Sequence, residues 1–119
     1  RGLTKLSEKV QKEADEELNE ARQVNRRLVE LGETPEVAID DYPVITDVKE
    51  MLEYDCKASA TALPEMSKAL ALFEDDYVTK NMIQEFIVDE QEHYNWVKTH
   101  LCIIEQIGIE NYLIDQMGE

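Results

Sequence analysis

Histidine, cysteine and basic side chains are all scarce in this chain of 119 residues: two His, two Cys, and 12 Lys plus Arg against 27 Asp plus Glu. A formal net charge of −15 argues against a nucleic-acid partner, because phosphate binding needs clustered Lys and Arg. It argues equally against an anionic membrane surface, and it suits solubility, cation attraction or docking to a basic partner. Cys56 and Cys102 are too few and too far apart in sequence for a disulfide framework. They make no metal motif and flank apolar helical positions, so reduced thiols and a reducing compartment are expected: cytoplasm, or an organelle matrix if the N-terminus is processed. The four glycines are scattered, which excludes a Gly-rich phosphate loop. No apolar run approaches the ~18 residues of a membrane-spanning helix, so membrane insertion is not expected. No secretory signal is visible, although the chain opens on Arg1 rather than Met, as a missing or processed N-terminus would leave it. No Ser/His/Asp order suggests a hydrolase. Strand-like alternation is nearly absent, residues 37–45 being the only weak candidate.

What the chain does have is helical periodicity. The first period covers residues 4–31, with an apolar face of Leu6, Val10, Ala14, Leu18, Ala21, Val24 and Leu28. Gly32 and then Pro35 end it. Residues 33–46 form a long connection whose Val37, Ile39, Tyr42, Val44 and Ile45 are apolar enough to pack along the outside of a bundle. Its length suits a crossing from one end of a bundle to the other. A second helix starts at the capping-box-like pair Asp47 and Glu50 and runs to about Phe73 along Val48, Leu52, Asp55, Ser59, Ala62, Met66, Ala69 and Phe73. Pro64 lies inside it and predicts either one kinked helix, the reading adopted, or two shorter ones. Asp75 and Asp76 then supply an N-cap for a third helix over residues 77–107, which Gly108 breaks. Residues 109–117 read as a short terminal helix with Tyr112 and Leu113 on one side. The sequence therefore predicts a single all-α domain over residues 1–119, a bundle of three long helices plus a short C-terminal one.

Each long helix carries polar groups in its apolar stripe. The third stripe reads Met82, Phe86, Glu90, His93, Val97, Leu101, Ile104, spaced by threes and fours. A buried ionised carboxylate is costly unless compensated. The first helix contributes Glu17, with Glu20 at the edge of the same face, and the second contributes Asp55 and Ser59. Residues at i and i+3 share a helix face, so Glu90 and His93 can point to one place. Inward polar groups on three helices are the pattern of a metal site inside a bundle. Carboxylates plus one imidazole suit iron or manganese better than a thiol-seeking ion. On spacing alone, a metal site, a buried hydrogen-bond network and simple solvent exposure all stay open. His100 lies two turns beyond His93, about 10 Å along the axis, so any such site has one imidazole at most.

The third helix is also similar to a known family. Asp76-Tyr77-Val78-Thr79, then Asp89-Glu90-Gln91-Glu92-His93-Tyr94-Asn95-Trp96, then the stretch from Ile104 to Leu113 resemble the last long helix and short terminal helix of the bacterioferritins. Asp47-Val48-Lys49-Glu50-Met51-Leu52, Asp55 and Pro64 resemble that family's third helix, and Glu16-Glu17-Leu18-Asn19-Glu20-Ala21 its second. The resemblance implies a ferritin-like four-helix bundle with a di-iron site. It also implies departures. The chain begins at the loop before the family's second helix, so the first helix and its carboxylate ligand are expected to be missing. Glu20 stands where the family has histidine, and Ser59 where it has a bridging glutamate. Glu17, Glu90 and His93 keep the expected ligand types. Leu18 falls on the methionine that binds haem, so no haem is expected.

From these departures the sequence predicts a bacterioferritin-like subunit with a vestigial metal site. Its candidate ligands are Glu17, Glu20, Asp55, Glu90 and His93, holding at most one iron per chain. Its role is expected to be structural or accessory in a larger assembly. A bundle short of one helix would expose an apolar groove along residues 6–28 and 82–104, which a protein partner or a second copy should fill. The rival is an iron-storage and ferroxidase subunit of a ferritin-type cage, with the absent ligands supplied by another chain or segment. A rubrerythrin-related oxidase is weaker still, because one histidine is too few.

Overall fold

The computed structural model describes residues 2–35 and 43–118. It holds four helices, α1 (Thr4–Glu30), α2 (Val48–Ala71), α3 (Tyr77–Ile107) and α4 (Ile109–Met117). No strand occurs among the described residues; the weak strand candidate over residues 37–45 falls largely outside them. The all-α architecture is the one the periodicity predicts. By their internal contacts the residues form two compact units, one of α1 with the chain from Glu110 onward, the other Val44–Ile109.

Helix boundaries follow local chemistry. Asp47 accepts a hydrogen bond from the Glu50 backbone N–H at 2.9 Å, the expected cap of α2. At α3 the cap is Asp76 rather than Asp75: its carboxylate accepts from the Thr79 backbone N–H at 3.1 Å, and the Thr79 hydroxyl donates to its other oxygen at 2.6 Å. A carboxylate at this end also meets the positive pole of the helix dipole. Helix α1 closes in a Schellman motif. Gly32 N–H donates to Val29 C=O at 3.0 Å and Glu33 N–H to Leu28 C=O at 2.8 Å, with Gly32 at φ 83°. That left-handed conformation is why a glycine ends the helix there.

Helix α2 runs unbroken through Pro64, so the proline does not divide it into two. The helix stops at Ala71, slightly before the expected Phe73. The N–H groups of Leu72 and Phe73 donate three residues back, to Ala69 and Leu70, at 3.1 and 3.2 Å, and such tightened bonds close a last turn.

In the unit Val44–Ile109, α2 and α3 pack as an antiparallel hairpin joined by residues 72–76. Leu52, Ser59, Phe86, Val97 and Ile104 are buried along the seam, and Met82, Leu101, Ala62 and Met66 are half-buried. Val97 has no exposed surface and Leu52 almost none. Both stripes read from the sequence therefore face inward.

The other unit buries Leu6, Tyr112 and Gln116. The end of α4 reaches the first turn of α1, where a Cβ on Gly118 would stand 3.6 Å from the Lys5 Cγ. From Val10 to Val24 the apolar stripe of α1 is exposed: Val10, Leu18 and Val24 are 48, 52 and 37% exposed, Ala14 and Ala21 are exposed as well, and Leu28 is half-buried. Intrahelical pairs, Lys9 with Glu13 at 2.8 Å and Arg27 with Glu30 at 3.1 Å, brace its polar side, each worth about 0.2–0.5 kcal/mol. Val44, expected to pack with the connection, is 94% exposed; Val37, Ile39 and Tyr42 lie outside the described residues.

Tyr112 gives this unit a pH signature. Burial first, and then the charge of Asp115, raise its phenol above the ordinary value of 10.0. The folded state thus favours the neutral ring, and the unfolded chain sheds the proton first. The stability tied to this group is complete below pH 10 and drains away as pH climbs through the higher folded value. Urea midpoints measured from pH 8 to 11 should fall on the alkaline side, and Tyr112→Phe should flatten that fall. An identical alkaline decline in the variant would show that the ring titrates freely.

Candidate metal centre

The hairpin brings together four of the polar residues that interrupt the stripes. Ser59 and Asp55 sit one turn apart on α2, and Glu90 and His93 one turn apart on α3. Antiparallel packing sets Ser59 opposite Glu90 and Asp55 opposite His93. The Ser59 hydroxyl donates to Glu90 Oε2 at 2.7 Å. His93 Nε2 and Asp55 Oδ2 are 3.9 Å apart, a charge pair when the imidazole is protonated. The His93 side chain is 16% exposed and that of Asp55 39%, so the pair spans the edge between interior and solvent.

Glu17 and Glu20 lie on α1, in the other unit, Glu17 exposed and Glu20 half-buried. Of the five candidate ligands, the hairpin carries Asp55, Glu90 and His93, of which Asp55 and His93 approach each other.

A stacked aromatic run continues from His93 along α3. Trp96 stacks on His100 at 3.8 Å between centroids and 25° between planes, and lies 6.4 Å from the His93 ring. The sequence signal for this run is the three- and four-residue spacing of His93, Trp96 and His100. His100 is too distant from His93 to share an ion, and nothing in the spacing alone assigns Trp96 a role. The structure makes Trp96 the link between the two imidazoles.

A di-metal carboxylate site in a bundle draws a glutamate from each of two helices and a Glu-x-x-His from each of the other two. The hairpin supplies one Glu-x-x-His, Glu90 to His93. Facing Glu90 stands the neutral hydroxyl of Ser59, engaged with one of the Glu90 oxygens. Among the described residues of the hairpin, no three of His, Cys, Asp and Glu converge as a metal cage requires. The hairpin by itself therefore carries fewer carboxylate and imidazole ligands than a metal pair takes in a bundle.

Similarity to known proteins agrees with the architecture. A family model described as a ferritin-like domain matches residues 1–107. A bacterial ferritin of Pseudomonas aeruginosa is 34% identical over 98% of this chain and 77% of its own length. A bacterial ferritin of Synechocystis is 32% identical over 98% of the chain and 78% of its own length. A bacterioferritin of Brucella melitensis is 28% identical over 93% and 71%. With that family model covering residues 1–107 and a bacterial ferritin 34% identical over 98% of the chain, this helical chain belongs to the ferritin-like family.

Proposed function

We propose that this chain is a bacterioferritin-like subunit with a vestigial metal site, serving as a structural or accessory part of a larger assembly. The observation that carries this is the Ser59–Glu90 hydrogen bond at 2.7 Å. It puts a neutral donor where a metal pair needs a shared charged ligand, and engages the one glutamate the hairpin has to offer there. Each chain then holds at most one iron, the candidate ligands being Asp55, Glu90 and His93 on the hairpin and Glu17 and Glu20 on α1. Leu18 offers no atom that ligates iron, so haem does not bind by that route. The exposed stripe of Val10, Leu18 and Val24 is covered in the assembly by a helix from a protein partner, a second copy, or another stretch of the same gene product. No described helix is long and apolar enough to cross a membrane.

Metal analysis tests this. After aerobic loading with Fe²⁺, the purified chain should retain no more than one iron per chain and show no oxygen uptake above the buffer rate. Two irons per chain with oxygen-consuming Fe²⁺ oxidation would defeat it.

A second reading has its own support. Glu90 and His93 are both retained with the right spacing, and the relatives matched over nearly the whole chain carry the name bacterial ferritin. On that reading the chain is an iron-storage and ferroxidase subunit of a cage, completed by ligands from another chain or segment. A large hollow particle filled with iron mineral would favour it.

A further inference from the structure

We propose that Ser59 is a neutral staple that makes folding of the α2–α3 hairpin independent of divalent cations. The inference rests on the incomplete metal site described above.

Glu90 is half-buried, in a stripe where Phe86, Val97 and Ile104 are buried and Met82, His93 and Leu101 half-buried. A carboxylate partly withdrawn from water is stabilised by a cation or by hydrogen-bond donors. Ser59 is 3% exposed, and its hydroxyl needs an acceptor for the same reason. The 2.7 Å contact answers both needs at once, across two helices and 31 positions of sequence. It is a charge-assisted bond, stronger than a bond between neutral groups, and it ties α2 to α3 between the buried residues of the seam. A carboxylate at position 59 would behave oppositely. It would face Glu90 as a like charge, and the hairpin would close well only with a cation between the two. An alcohol at position 59, where a carboxylate would make a metal-coupled seam, thus gives one that closes unaided.

Thermal unfolding of the full chain by circular dichroism, in EDTA and in excess Mn²⁺, tests this. The wild type should melt at the same temperature, within about 2 °C, in both. Ser59→Ala should melt about 5 °C or more lower in both, since each lost kcal/mol moves the midpoint of a domain this size by several degrees. Ser59→Glu should melt lower in EDTA and recover at least half of that loss in Mn²⁺. Glu90→Gln, which keeps an acceptor for the hydroxyl, should stay closer to the wild type than Ser59→Ala and keeps the test readable if Ser59→Glu fails to fold. A wild-type rise of 5 °C or more in Mn²⁺, or a Ser59→Ala variant that melts like the wild type, overturns the staple. Counting metal in the same samples separates the two ideas. Two ions per wild-type chain defeat the vestigial site, whereas a low Ser59→Ala effect with no bound metal defeats the staple alone.

Discussion

Aspartate in place of Val97 should leave α2 and α3 unable to hold their hairpin at room temperature. Val97 has no solvent exposure and sits one turn from His93 on the face that meets α2. An ionised carboxylate there finds no water, and the effective penalty for an unpaired buried ion is several kcal/mol. Stability of a small domain totals only about 5–15 kcal/mol, and the hairpin seam is a narrow core. Val97→Ala is the graded control. It removes two methyl groups without introducing charge and should cost about 2 kcal/mol. Urea denaturation followed by helical circular dichroism should therefore show an ordinary transition shifted to lower urea for Val97→Ala, and little helix at any urea concentration for Val97→Asp. A folded Val97→Asp protein with a nearly native midpoint would mean that the seam is not the core.

The second large effect concerns assembly. Lysine at Val10, Leu18 and Val24 together should convert a multi-subunit particle into a much smaller species without loss of helix. These three side chains are 37–52% exposed and lie on one face of α1. Exposed positions tolerate substitution within about 0.5 kcal/mol, and lysine is a good helix former. In an interface the same three ammonium groups would have to shed their water, so the proposed partner helix could no longer dock. Mass under native conditions gives the answer, with circular dichroism confirming that α1 persists. An unchanged particle mass in the triple variant would show that this stripe covers nothing.

Much of the structure was legible because helix formation is a short-range affair. Apolar residues recurring every three or four positions, Asp47 and Asp76 as caps, and Gly32 and Gly108 as stops act through neighbours a turn away. Hence α3 and α4 fall on the predicted residues, and α1 and α2 differ from prediction only at their ends. The identity of the capping aspartate was less legible, since Asp75 and Asp76 look alike until the backbone shows which carboxylate reaches the Thr79 N–H. The candidate ligands were visible as polar interruptions in apolar stripes.

The sequence by itself determined four helices, their inward faces and an acidic, histidine-poor set of polar residues along them. Tertiary structure alone decided that Ser59 meets Glu90, that Asp55 faces His93, and that Trp96 bridges toward His100. It also decided that the stripes on α2 and α3 close on each other. The physical reason is range. Periodicity states which side of a helix avoids water, but the partner across the seam depends on how two helices register over 31 residues of chain, and no local preference specifies that register.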